Sequence, residues 1–241
     1  MPSRTGNKRK RVNSSFHFRI LLLLILITTA FLALGPGMLQ RITSVPDDKL
    51  PLEGIDVSNH QGSIDWKLLD QNLVNFAFIK ATESTGFTDK SFGKNWKESG
   101  QAGILRGAYH FYDVEADGAQ QADHFITIVP KEGNMLPPVI DIETLGTDDE
   151  KVISSLKAYV EKVEKHYDTK PIFYVNQATH SQYIKEHFKG YPIWFANYSG
   201  EPEVEWTFWQ FTDSASVAGI ETLVDFNQFH GDKEALLKLA R

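Results

Sequence analysis

The sequence predicts an α/β protein: an irregular TIM-like barrel, (β/α)5(β)3, standing behind an N-terminal transmembrane helix. Three features predict it. Eight short runs rich in β-branched and aromatic residues succeed one another between Gly54 and Phe226. Segments of helical periodicity separate the early runs, whereas the last two connections, Asn197 to Thr207 and Thr212 to Thr222, are rich in Gly, Pro, Ser or acid. Ahead of them all, a charge-free stretch follows a cluster of basic residues.

At the N-terminus, residues 1–19 carry Arg4, Lys8, Arg9, Lys10, Arg11 and Arg19 with no acid; the whole chain is −6, so the remainder is −12. An acidic body argues against a nucleic-acid partner, because phosphate binding relies on Lys and Arg displacing counterions. Ile20 to Leu34 is uncharged, and counted to Leu39 the apolar span is 20 residues, about 30 Å as a helix, the thickness of a bilayer's hydrocarbon core. The basic segment 1–19 is then cytoplasmic, residues 20–39 are a single-pass signal anchor, and the rest faces outward. A cleaved signal peptide is the competing reading. Ala33 with Gly35, or Gly35 with Gly37, makes a poor cleavage site, which favours retention; cleavage would leave a secreted protein. Residues 40–52, with Pro46 and Pro51, read as a tether, and the body spans 53–241.

Within the body the strand candidates are Gly54 to Val57, Phe76 to Lys80, Leu105 to Phe111, Val139 to Ile142, Ile172 to Val175, Ile193 to Ala196, Phe208 to Phe211 and Leu223 to Phe226. Helices are expected over Trp66 to Gln71, Phe92 to Ser99, Ala116 to Ile128, Asp149 to Tyr167 and Thr179 to Phe188. The fourth is the clearest: Val152, Leu156, Tyr159 and Val163 recur at helical spacing, and Thr147 with Glu150 reads as a capping box. Alternation of strand and helix implies a parallel sheet. A parallel crossover needs about a dozen residues or more, so the last strands are expected to be joined by plain loops, with at least one antiparallel pairing. Helices after the first five strands only would fit about 189 residues, residues 53–241, into a barrel that regularly takes about 250.

In such a barrel the chemistry sits at the carboxyl ends of the strands. Asp56 in GIDVS, Asp141 and Glu143 in PPVIDIE, and Asp225 in LVDFN are the acids placed there. Asp141 and Glu143 are two residues apart and point to one face. Carboxylates held together away from water cannot all ionise cheaply, so one keeps its proton near neutrality. A protonated acid beside an ionised one is what glycosidic cleavage requires. A single strand-end acid is more often an ion-pair partner or a cap; the weight lies in the constellation.

Aromatic side chains accompany these acids. Tyr109, Phe111, Tyr112, Tyr174, Trp194, Tyr198 and Trp209 fall on or beside the same strands, and aromatic faces bind the apolar faces of sugars. Gln210 and Asn197 are candidates to bond hydroxyl or acetamido groups. Most aromatics are core residues, but Trp194 and Trp209 lie toward the helix-poor side, and the substrate-binding set expected is Tyr109, Tyr174, Trp194, Tyr198, Trp209 and Gln210. No cofactor or metal is expected: there are no cysteines, no His-Glu-x-x-His, no phosphate loop and no dinucleotide fingerprint. His110 reads equally as a structural or a site residue, and Lys80 with Glu83 as an ion pair or a binding pair.

In order along the chain, GIDVSNHQG (54–62), FAFIKATE (76–83), GAYHFY (107–112), PPVIDIE (137–143), PIFYVN (171–176), PIWFANY (192–198), FWQFTD (208–213) and VDFNQF (224–229) resemble glycoside hydrolase family 25, the Chalaropsis-type lysozymes. The resemblance implies a flattened barrel and an N-acetylmuramidase that cuts the β-1,4 bond between N-acetylmuramic acid and N-acetylglucosamine in peptidoglycan during cell-wall turnover. It implies Glu143 as the acid/base, with Asp56, Asp141 and Asp225 as the other active-site acids. Two retaining routes stay open: a carboxylate nucleophile, or attack by the substrate's acetamido group with Asp141 orienting it. Many members carry cell-wall-binding repeats, whereas GDKEALLKLAR reads as one short helix closing the barrel. The expected partners are glycan strands and, through the N-terminal helix, the membrane; the expected state is a monomer. The alternatives are a chitinase-like hydrolase of N-acetylglucosamine polymers and a membrane-tethered, non-catalytic glycan-binding module.

Overall fold

The structure is a computed structural model, and it describes residues 51–240. The basic segment 1–19, the transmembrane helix expected over 20–39 and nearly all of the tether lie outside the described residues; among those described, no helix is long and apolar enough to cross a membrane.

Nine strands form one sheet: β1 (Leu52–Val57), β2 (Phe76–Glu83), β3 (Phe87–Thr88), β4 (Leu105–Phe111), β5 (Val139–Ile142), β6 (Ile172–Val175), β7 (Ile193–Ala196), β8 (Phe208–Ala215) and β9 (Val224–Phe229). Their order is β1-β9-β8-β7-β6-β5-β4-β2-β3, and parallel pairing of β1 with β2 closes eight of them into a barrel. β3 stands outside the ring as a hairpin partner of β2. Within the ring, neighbours from β1 and β2 through β8 run parallel, and β9 runs antiparallel to both β8 and β1.

That reversal is the antiparallel pairing expected among the last strands, which plain loops join. β7 and β8 are parallel although only the loop 197–207 joins them. β7 has four residues, about 13 Å of strand, and an eleven-residue loop reaches up to about 36 Å. The chain therefore returns without a helix.

Among the described residues five α-helices accompany the sheet: α1 (Phe92–Gln101), α2 (Gly118–Ile128), α3 (Asp149–Tyr167), α4 (Gln177–Thr179), which continues as a π-helical turn over His180–Ile184, and α5 (Lys233–Leu239). No helix forms over Trp66 to Gln71. Asp65 and Asp70 instead accept from the backbone of Lys67 and Asn72, closing local turns. Asp65 N also donates to Gly219 O, tying this segment to the last loop. The cap of α3 is Asp148, accepting from Lys151 N, while Thr147 donates to Glu115. The expected Thr147 and Glu150 box is not formed.

Two apolar layers result. Outward-facing strand residues such as Ile55, Ile79, Ile140 and Phe173 pack beneath α2 and α3 with Phe125, Leu156 and Val163. Inward-facing Phe76, Phe78, Trp194, Phe208 and Phe229 fill the barrel with Leu136, Val139 and Ile172. Phe78 stacks on Trp194 with centroids 4.6 Å apart. Gly54 and Gly107 make room for these rings; a Cβ on Gly107 would stand 2.6 Å from Phe78 Cε1. Leu236 of α5 joins the same interior cluster, so the C-terminal helix covers the barrel's amino end. Side chains fill that end, and the other is left for polar groups.

Candidate active site

Strand alternation decides what reaches the open end. On β5, Ile140 and Ile142 face the helices while Asp141 faces the barrel axis, and Glu143 follows at the strand's end. On β1, Asp56 points inward between Ile55 and Val57. Asp225 lies at the amino end of β9, not at the carboxyl end expected; because β9 runs backwards, that end meets the same mouth, and Asp225 pairs in register with Asp56.

These four acids share a cleft of about 290 Å³ with Tyr109, Tyr174, Trp194, Tyr198 and Gln210. Nine of the ten residues expected from the sequence are thus brought together. Trp209 is the exception: its indole N–H donates to Asn197 O and its ring packs against Trp206 and Phe211, on the outer face of β8. Period-two alternation from Gln210 puts it there. Asn197 is likewise absent from the cleft lining.

The electrostatics follow from burial and crowding. Asp141 is 6% exposed, and its Oδ1 has no hydrogen-bond partner among the described residues. Burial, then the charges of Glu143 and Asp56, push its pKa well above the ordinary carboxylate value, while Lys80 pulls it down. Glu143 stands at the rim, yet partial desolvation by the cleft walls raises its pKa; Lys80 opposes this and Asp225 adds to it. Asp56, 7% exposed, is driven up by burial and then by Asp225, with which it is hydrogen-bonded. Its Oδ2 accepts from Gln210 Nε2 at 2.9 Å and Asn227 Nδ2 at 2.8 Å. Asp225 is raised chiefly by desolvation.

Lys80 is the cation among these acids. Its ammonium pairs with Glu83 at 2.7 Å and lies 4.7 Å from the centroid of Phe111, which also lines the cleft. Both readings of Lys80 therefore hold: it is ion-paired, and it is at the site. His110 is resolved the other way. It is fully buried on the outer face of β4, with Thr82 Oγ1 at its Nδ1 (2.7 Å) and Gln121 Oε1 at its Nε2 (3.0 Å). Burial lowers its pKa to about 4, so the ring is neutral and structural. Tyr112 is also outside the cleft, donating to Ser155 Oγ.

The sequence reading assigned no role to Asn227, Ser58 or His60. Ser58 and His60 line the cleft from the loop after β1. Asn227 holds Asp56 and accepts from Trp194 Nε1 at 2.8 Å. The signal was present: Asn227 is two residues beyond Asp225 and shares its face.

A buried carboxyl with a free acceptor, a rim carboxyl with raised proton affinity and a ring of aromatic side chains form a site for acid-assisted cleavage of a polar, ring-shaped substrate. The model of glycosyl hydrolases family 25 matches residues 55–220 of the chain. Lysozyme M1 of Streptomyces globisporus is 33% identical over 235 residues, spanning 86% of this chain and 77% of that protein. Protein YegX of Escherichia coli strain K12, itself uncharacterized, is 36% identical over 195 residues, covering 77% of this chain and 72% of that one. Among solved structures, a family 25 glycosyl hydrolase from Bacillus anthracis superimposes with a TM-score of 0.74 at 38% identity, covering 79% of this chain and 94% of that one.

Proposed function

The chain belongs to glycosyl hydrolases family 25 and is a glycoside hydrolase with lysozyme-type activity; from that premise we propose that it is a retaining N-acetylmuramidase acting on the β-1,4 bond between N-acetylmuramic acid and N-acetylglucosamine of peptidoglycan. Glu143 is the acid/base. Its raised proton affinity favours the protonated form that a donor to the leaving oxygen needs. Tyr109, Tyr174, Trp194 and Tyr198 offer aromatic walls to the sugar rings.

One observation carries the route. Asp141, two residues before Glu143 on the inward face, has a buried carboxyl oxygen without a partner, and a buried acceptor left unpaired is costly. An acetamido N–H of the substrate supplies the missing donor. As the acetamido oxygen attacks the anomeric carbon, positive charge develops on that nitrogen, and the high proton affinity of Asp141 favours holding it. The acetamido group thus serves as nucleophile and Asp141 orients it. Water then opens the cyclic intermediate with Glu143 as base, and the anomeric configuration is retained.

The basic and apolar pattern of residues 1–39 supports action outside the cytoplasmic membrane, on the wall of the cell that makes the enzyme. Digestion of purified peptidoglycan, borohydride reduction and mass analysis test the activity. Reduced muramic acid ends are expected from the wild type and none from Glu143→Gln; reduced glucosamine ends would overturn the bond assignment.

A further inference from the structure

Asp56 is gripped by two amides, each held in turn by further hydrogen bonds. Asn227 Oδ1 accepts from the indole N–H of Trp194 at 2.8 Å. An indole N–H can only donate, so the group that Asn227 turns toward Asp56 is its NH2, 2.8 Å from Oδ2. Gln210 Oε1 receives two phenols, Tyr174 OH at 2.8 Å and Tyr198 OH at 2.7 Å. Its NH2 donates to the same Asp56 oxygen at 2.9 Å. Two N–H donors occupy Oδ2, and the other carboxyl oxygen is left for Asp225, with which Asp56 shares a hydrogen bond. A hydrogen bond between two carboxyls requires a proton on one of them.

We propose that Gln210 and Asn227 are positioning residues of the reaction: by occupying Asp56 Oδ2 they confine the shared proton to the edge between Asp56 and Asp225, and so hold one negative charge, on Asp225, within reach of Glu143. Asp56 keeps the proton because it is the more deeply buried of the two. Asp225 then remains the ionised member, and its charge raises the proton affinity of Glu143.

The groups that face the pair are acids and phenols, with one lysine among them. Asp141 of β5 bears on Asp56 with like sign. Tyr109 of β4, Tyr174 of β6 and Tyr198 after β7 face it as phenols whose ionisation its charge opposes. Lys80 of β2 is the cation of the cleft, and its ammonium is engaged by Glu83. Gln210 is 2% exposed and Asn227 fully buried, and both amides are already engaged, by Asp56 on one side and by the phenols or the Trp194 indole on the other. Gln210 is therefore moved from the substrate-binding set to the support of Asp56.

The inference rests on Glu143 as proton donor, and the test separates the two. Gln210→Met removes an N–H donor while keeping length and volume. Without that donor the proton can settle on Oδ2, Asp225 loses its partner and takes up a proton of its own, and Glu143 loses a negative neighbour. The expected result on purified peptidoglycan is kcat reduced about tenfold, KM within about twofold, and the alkaline limb of the kcat profile moved to lower pH by about half a unit. A raised KM with kcat and limb unchanged would mean that Gln210 binds sugar, and would overturn the proposal. Tyr198→Phe removes one of the two phenols that orient the amide from an exposed loop, so it tests the same relay in a variant that folds even where Gln210→Met does not: a limb shift in the same direction supports the proposal, and an unmoved limb overturns it. Wild-type enzyme that released no muramic ends would instead fail the assigned activity.

Discussion

Asp56 and Asp225 stand directly opposite each other in the antiparallel β1–β9 ladder, with their carboxyls hydrogen-bonded at the mouth of the barrel. Like charges placed opposite on one sheet face are destabilising, and here burial adds to the cost. The arrangement persists because it holds a proton.

That proton makes stability depend on pH in a definable sense. The folded pKa of Asp56 lies above its unfolded value near 3.8. Its contribution is therefore fully present below about pH 3.9 and is lost as pH rises through the folded pKa. Asp56→Asn presents an NH2 to Asp225 and keeps an oxygen for Gln210 and Asn227. We expect it to be more stable than wild type by about 1 kcal/mol at pH 7, with the gain gone at pH 3 and activity impaired. Urea unfolding at the two pH values reads this directly, and equal gains at both would contradict it.

His110 works in the opposite direction. Its folded pKa is about 4 against an ordinary 6.5, so its contribution is present above pH 6.5 and is lost as pH falls through 4. The shift corresponds to about 3 kcal/mol. NMR titration of the ring should show no protonation above pH 5; a midpoint near 6.5 would show that the Thr82 and Gln121 contacts do not hold it neutral.

Assistance by the acetamido group makes the substrate's own acetyl essential. Peptidoglycan de-N-acetylated at its muramic residues should be cleaved at least about 100-fold more slowly than the acetylated polymer, and Asp141→Asn should lose activity of the same order on normal walls. Unimpaired cleavage of the deacetylated polymer would point to a carboxylate nucleophile instead.

Gly107 has no Cβ because the Phe78 ring occupies its place. Gly107→Ala should cost about 1–3 kcal/mol through overpacking of the barrel interior. A calorimetric melt measures the loss, and an unchanged melting temperature would mean that the aromatic filling yields more easily than its packing indicates.

Much of this was legible along the chain. Leu105 to Phe111, Val139 to Ile142 and Asp149 to Tyr167 coincide with observed elements, because a short apolar run or a 3.6-residue period is a local property that packing reinforces. Trp66 to Gln71 misled: its apolar spacing is real and Trp66 and Leu69 are buried, yet Asp65 and Asp70 close turns on their own backbone. Trp209 misled in another way, because composition does not say which face of a strand looks inward, and Gln210 had already taken that face.

By itself, the sequence determined the strand-and-helix order, the four acids and the family they belong to, since each is carried by spacing and residue type along one stretch of chain. Only the tertiary structure decided that β9 runs backwards, bringing Asp225 against Asp56, and that Trp194 and two phenols turn the amides of Asn227 and Gln210 onto one carboxyl oxygen. The bonds from those amides to Asp56 join residues more than 150 positions apart. They exist only once the barrel has closed, when burial raises the cost of charge and each donor must find its acceptor.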